Sequence, residues 1–285
     1  MNCLEPIFGF DRVDVWFDVA DIPLPLEALN AECTAVKFQV GSAPFGARWK
    51  SKVQLFQPTR KALKILLEGL PSIVSAKLTY AEIAFDITCP NGEVARQLLG
   101  AFLSAARMVS QRQPVILKGT VWYFGRRTKS TNSLRQKPTG RPHRLAAYAD
   151  RPSKLHNAKP TNQTKPACHI EWRASGSTAL ANLGIVTLKD LIAFDHLAFF
   201  GEHVRLYALP KGAELGRLLA RCKKANPDVS GTALRKRAAI WRQAATQCGK
   251  FILHNALLGR SNVAKRLETV PWDAWWRHLL QKIAA

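Results

Sequence analysis

Two carboxylates, Glu82 and Asp86, stand inside the apolar run AEIAFDI at 81–87. Side chains alternate across a strand, so an extended chain puts Glu82, Ala84 and Asp86 on one face and Ile83, Phe85 and Ile87 on the other. A second strand-like run, CHIEWR at 168–173, gathers His169, Glu171 and Arg173 on one face, with Ile170 and Trp172 opposite. If the two runs are neighbours in a sheet, Glu82, Asp86 and Glu171 form a cluster of three acids. Acids that close resist ionisation unless a cation neutralises them, and oxygen ligands suit Mg²⁺ or Mn²⁺. His169 is then a nitrogen ligand, a general base or a structural residue. VDVWFDV at 13–19 repeats the spacing with Asp14 and Asp18, and leaves open which pair belongs to the chemistry.

A metal at that cluster lacks a nucleophile. HRLAAYAD at 143–150 offers Tyr148, preceded by two alanines and on the strand face of Asp150; Tyr123 in TVWYFG is a second candidate. A phenol is a poor nucleophile until it is deprotonated or set against a metal-polarised phosphate, and its attack leaves a phosphotyrosyl intermediate. Attack by water at the same acids would make a metal-dependent nuclease without an adduct.

The charge of the chain favours a polyanionic partner. Lys and Arg number 42 against 20 Asp and Glu, a formal net charge of +22, and such an excess attracts nucleic acid over long range. Two stretches, 126–144 and 151–166, are basic and rich in Pro, Thr, Asn and Gln, a composition that cannot pack a core. Arg126, Arg127, Lys129, Arg135, Lys137, Arg141 and Arg144 are the phosphate contacts expected from the first. Arg235, Lys236 and Arg237 precede Trp241 on a basic helical segment suited to a nucleic-acid backbone or groove; a solvated helix face reads the same way.

The elements that must position these groups follow from periodicity. Strands are expected at 11–20, 34–40, 51–57, 77–88, 115–125, 143–150 and 167–175, and helices at 59–72 and 93–109, with Thr59 and Asn91 as caps. The fold class is α+β: an antiparallel or mixed sheet with helices packed on one face. The echo between 13–19 and 81–87 is compatible with two similar halves. From Thr187 onward the pattern turns helical, over 187–204, 212–224, 232–259 and 261–268. The expected division is a sheet-based domain at 1–186 and a helical basic region at 187–285. No apolar run approaches the ~20 residues of a membrane span, and the N-terminus does not read as a secretion signal. The six cysteines form no CxxC pair, so reduced thiols and a cytoplasmic location are expected.

The succession AEIAFD, TVWYFGRR, HRLAAYAD and CHIEWR, within residues 80–175, resembles the replication initiation factors of rolling-circle plasmids and filamentous phages. The resemblance implies a DNA-binding enzyme that nicks one origin strand through a tyrosine, stays joined to the 5′ phosphate and later rejoins the strand. It implies Tyr148 as nucleophile, a divalent metal held by Glu82, Asp86 and Glu171, and phosphates held by Arg173 and the 126–144 loop. Single-stranded or duplex origin DNA is the implied partner; a host helicase or polymerase and a second copy of the chain are compatible with it. Glu82 stands where the family has Asp, Arg126 replaces a small residue, and Ala149 separates Tyr148 from Asp150, so the choice between Tyr148 and Tyr123 stays open. Another class of nicking enzymes carries a His-hydrophobic-His metal motif, which none of the seven histidines forms. The rival reading is a non-catalytic nucleic-acid-binding regulator or packaging protein whose acids simply pair with arginines.

Overall fold

A computed structural model describes residues 6–41, 48–109, 115–118, 120–124, 143–155, 166–207 and 269–284. Its strands are β1 (Pro6–Phe17), β2 (Ala35–Val40), β3 (Ser51–Phe56), β4 (Ala76–Thr88), β5 (Ala106–Met108), β6 (Val115–Lys118), β7 (Val121–Phe124), β8 (His143–Tyr148), β9 (Ala167–Ser175), β10 (Val204–Tyr207) and β11 (Thr269–Val270). The helices are α1 (Leu26–Ala31), α2 (Arg60–Glu68), α3 (Gly92–Ala105), α4 (Ser177–Ala181), α5 (Leu188–Ala193), α6 (His196–His203) and α7 (Trp272–Ala284). Eight strands form one sheet in the order β2-β3-β1-β4-β9-β8-β7-β6, every pair antiparallel. The fold is α+β, as the sequence pattern indicates.

One face of this sheet is greasy because its alternate residues are. Ile83, Phe85 and Ile87 of β4, Ile170 and Trp172 of β9, and Val13, Val15 and Phe17 of β1 join a single buried core with residues of the helices. Phe85 lies at its middle, 6.1 Å from Phe200 of α6, 5.3 Å from Trp272 and 4.9 Å from Trp276 of α7, ring centre to ring centre. Trp276 also stacks on Phe102 of α3 at 5.8 Å. Portions of the chain beyond Thr187, namely α5, α6 and α7, therefore complete the core of the same sheet. Trp272 and Trp276 are buried and anchor the last helix.

Local signals fix several boundaries. Thr59 caps α2 by accepting the Ala62 N–H at 3.1 Å, and Asn91 caps α3 by accepting the Val94 N–H at 3.0 Å; each such cap is worth about 1 kcal/mol. Cys33, Cys89 and Cys168 are free and buried.

The structure corrects four expected elements. Helix 93–109 stops at Ala105, because Ala106–Met108 pair with β10 instead; the gain of a ladder overrides local periodicity. The expected strand 115–125 is a hairpin, with Lys118 opposite Val121; the Gly-Thr between them is a turn signal. The expected helix 187–204 is broken into α5 and α6, where Asp195 accepts the Ala198 N–H at 2.9 Å and starts a new helix. The first strand begins at Pro6 and ends at Phe17, so Asp18 lies beyond it.

Candidate active site

The other face of the central strands is polar yet buried. Residues directly opposite in an antiparallel ladder project to the same side. Between β4 and β9 the opposed pairs are Asp86 with His169, Ala84 with Glu171 and Glu82 with Arg173. Between β8 and β9 they are Tyr148 with His169, Ala146 with Glu171 and Arg144 with Arg173. Glu171 thus has an alanine on each side, which leaves room above its carboxylate. Glu82, Asp86 and Glu171 do share one face, and all three are buried.

The three acids have different partners. Asp86 is wholly buried and forms an ion pair with His169 Nδ1. The opposite ring nitrogen, His169 Nε2, lies 3.2 Å from Glu171 Oε2. Glu171 Oε1 pairs with Arg173, whose Nε is also 3.4 Å from Glu82 Oε1. Tyr80 donates its hydroxyl hydrogen to that Glu82 oxygen.

A fourth acid enters by a route that simple alternation does not foresee. The pairing of β1 with β4 slips between Phe10 and Arg12, so Asp11 is an extra residue in a β-bulge. Gln57 holds it there: its N–H and its Nε2 each donate to the Asp11 carbonyl at 2.9 Å, and Nε2 also reaches the carboxylate. Gln57 has φ of 44°, in the left-handed region that non-glycine residues avoid. Asp11, His169 and Glu171 each bring one ligand atom within 4.8 Å of the others, and among the described residues they are the group able to hold a metal ion. Two carboxylates and an imidazole suit Mn²⁺ well and Mg²⁺ acceptably. The Asp86–His169 pair resembles the outer-shell contact that orients a ligating histidine.

The electrostatics follow from burial and charge. Burial alone would drive His169 neutral, but Asp86 and then Glu171 outweigh it and hold the imidazole's pKa well above its usual range. Burial would raise Glu171, yet its hydrogen bond with His169, that residue's charge and Arg173 bring its carboxyl below the ordinary value. For Glu82, burial and the nearby Glu171 charge prevail, and its carboxyl is pushed up to about 7. Burial, followed by the charge of Glu171, raises the Tyr148 phenol well above its ordinary value. The resting Tyr148 is therefore a protonated phenol.

Tyr148 is close to the candidate ligands. Its hydroxyl is 3.5 Å from Glu171 Oε2, and its ring lies 4.4 Å from that of His169. The Arg151 guanidinium sits 4.2 Å above the ring centre. Tyr123 is on the same face, opposite Ala146, and is half-buried, with Arg173 at 5.9 Å from its ring. Arg144 is exposed. Asp14 also shares this face but is tied to Arg12 at 2.7 Å and 2.8 Å, to Lys52 at 2.7 Å, and to Gln54. Asp18 accepts the Ser75 N–H at 2.9 Å outside the strand. Arg126, Arg127, Lys129, Arg135, Lys137, Arg141, Arg235, Lys236 and Arg237 lie outside the described residues.

Sequence reasoning missed Asp11, Gln57 and Tyr80. A signal for the first was present: in IFGFDRVDVWF the residues that join the core, Phe8, Phe10, Val13, Val15 and Phe17, are two apart except for a single step of three, which marks the bulge.

No protein-family model matches the chain, and no curated protein matches it in sequence. Among solved structures it is similar to a rolling circle replication initiator protein from Geobacillus stearothermophilus, with a TM-score of 0.33 and 10% identity over 73% of this chain and 88% of that one. So loose an overlap transfers no residue roles.

Proposed function

We propose that the chain is a DNA strand-nicking and strand-joining replication initiator that works through a phosphotyrosyl intermediate. The observation that supports this reading is the Tyr148 hydroxyl, 3.5 Å from a carboxylate of the buried Asp11–His169–Glu171 group. Asp11, Glu171 and His169 Nε2, the last by giving up its proton to the incoming ion, would hold Mn²⁺ or Mg²⁺, which when bound polarises the scissile phosphate. Glu82 and Asp86, expected from the sequence as ligands, act beside that set: Asp86 orients the imidazole and Glu82 fixes Arg173.

Tyr148 Oη attacks phosphorus as its proton passes to the Glu171 carboxylate. The P–O3′ bond breaks, its electron pair leaves with the 3′ oxygen, and that oxygen takes a proton from solvent. The products are a 5′-phosphotyrosyl link and a free 3′ hydroxyl, and the reverse sequence rejoins the strand. Arg151 above the Tyr148 ring and Arg144 near Arg173 supply positive charge for the flanking phosphates, together with the basic stretches 126–141 and 235–237. Tyr123 is the rival nucleophile.

A non-catalytic nucleic-acid binder is favoured by a different observation, the pairing of Glu171 and Glu82 with Arg173. Incubation with supercoiled plasmid separates the readings. The nicking enzyme yields open circles with Mn²⁺ or Mg²⁺, none in EDTA, and a protein–DNA adduct that survives denaturing gels. A chain that binds the plasmid and leaves it supercoiled is the regulator; one that nicks without an adduct is a water-using nuclease.

A further inference from the structure

The polar face continues past the acids onto β1, β3 and β2, and its chemistry changes there. In this register Tyr80, Arg12, Phe56 and Lys37 lie across four successive strands on the face that carries Glu82. The Arg12 guanidinium bridges two rings, 5.0 Å from the Tyr80 centre and 5.6 Å from that of Phe56. Lys37 Nζ stands 5.3 Å from Phe56. Tyr80, Phe56 and Arg12 are half-buried, and Lys37 is exposed. At the far end Lys77 lies 5.6 Å from the Trp49 ring, and Arg48 lies 5.1 Å from it.

Beyond Asp11 and Glu82, which belong to the acid cluster, this half of the face carries Asp14, which two cations neutralise. No carboxylate lies within ion-pair distance of Lys37 or Lys77 among the described residues. Rings and the cations over them, on a sheet face with surplus positive charge, match what a single strand presents: an unpaired base to stack on ring or guanidinium and a phosphate alongside it. A duplex keeps its bases stacked on one another and would use the cations alone.

We propose that the face of β4, β1, β3 and β2, centred on Arg12, Phe56 and Lys37, is a stacking platform for single-stranded DNA leading away from the Tyr148 site. It rests on the reading that this site acts on DNA, and it adds where the unpaired strand runs. Strands spaced by ~4.8 Å carry it over about 19 Å from β9 to β2, room for roughly four nucleotides at the lower end of known single-strand sites.

Fluorescence anisotropy with a labelled thymidine 12-mer, in EDTA and with the full chain, tests the platform apart from any cleavage. Phe56→Leu keeps an apolar side chain but loses the ring, and should weaken binding about 5-fold or more. Adding Lys37→Ala, at an exposed position, should extend the loss on the 12-mer beyond about 10-fold; a 12-base-pair duplex, which has no unpaired base to stack, should bind Phe56→Leu within about twofold of the parent. Affinity for the 12-mer equal to the parent's in both variants, a loss on duplex equal to that on the 12-mer for Phe56→Leu, or no binding of the 12-mer by the parent overturns the platform. Plasmid nicking with Mn²⁺, run alongside, reads the proposed activity: a parent that binds the 12-mer and never nicks sinks the nicking reading, while the variants' losses on the 12-mer decide the platform by themselves.

Discussion

His169 Nδ1 faces the wholly buried carboxylate of Asp86, and this contact aims the other ring nitrogen, Nε2, toward Glu171 3.2 Å away. A ligating histidine held in this way loses about 10- to 100-fold in metal affinity when its outer partner is removed. Asp86→Asn should therefore weaken Mn²⁺ binding by that factor, measured by isothermal titration calorimetry. Unchanged affinity would remove Asp86 from the positioning role.

Tyr148→Phe should abolish the covalent adduct with a single-stranded origin oligonucleotide in Mn²⁺ and leave DNA binding within about twofold, since only the hydroxyl is lost. Tyr123→Phe should keep the adduct. The opposite pattern on a denaturing gel assigns the nucleophile to Tyr123.

Gln57 fixes Asp11 through its side chain while its own backbone sits at φ of 44°. Gln57→Gly relieves the backbone and removes the side-chain hydrogen bonds, so Mn²⁺ affinity should fall about tenfold with little change in melting temperature. Gln57→Ala should lose affinity and also about 1 kcal/mol of stability relative to Gln57→Gly, because alanine keeps the left-handed strain. Equal melting temperatures for the two variants would deny that the strain is stored there.

The Glu82 carboxyl, pushed up to about 7 from a reference of 4.5, gives stability a definite pH dependence. The fold binds this proton more tightly than the unfolded chain does, so its contribution is fully present below about pH 4.5 and is lost as the pH rises through about 7. Glu82→Gln cannot lose a proton. In EDTA its melting temperature should exceed the parent's at pH 8 by a few degrees, at roughly 2–4 °C per kcal/mol for a chain of this size, and match it near pH 4. A variant less stable than the parent at pH 8 contradicts the sign.

Trp276 is 2% exposed and touches Phe85, Phe102 and Trp272. Trp276→Ala should cost about 3–5 kcal/mol in urea unfolding. A single shifted transition is expected, since the last helix shares the core of the sheet; two transitions would mean that it folds apart.

The central strands were legible in the sequence because their alternation is strong. AEIAFDI and CHIEWR each separate apolar from ionisable residues with a period of two, and the structure lays them side by side in register. Caps at Thr59 and Asn91 were legible for the same local reason, a side-chain oxygen three residues before a free N–H. Ala106–Met108 was not, since its pairing partner lies about a hundred residues away and nothing nearby opposes the helix.

The sequence by itself determined which residues share a face, because a strand's side chains alternate whatever it pairs with: Glu82 with Asp86, His169 with Glu171. Only the tertiary structure decided how those acids are partnered. Strand order brought Tyr148 beside His169, a bulge turned Asp11 inward, and Arg173 and His169 took up Glu82 and Asp86. Such pairings depend on register and on one extra residue between neighbouring strands. Composition and periodicity carry only a trace of that: one step of three in a pattern of twos.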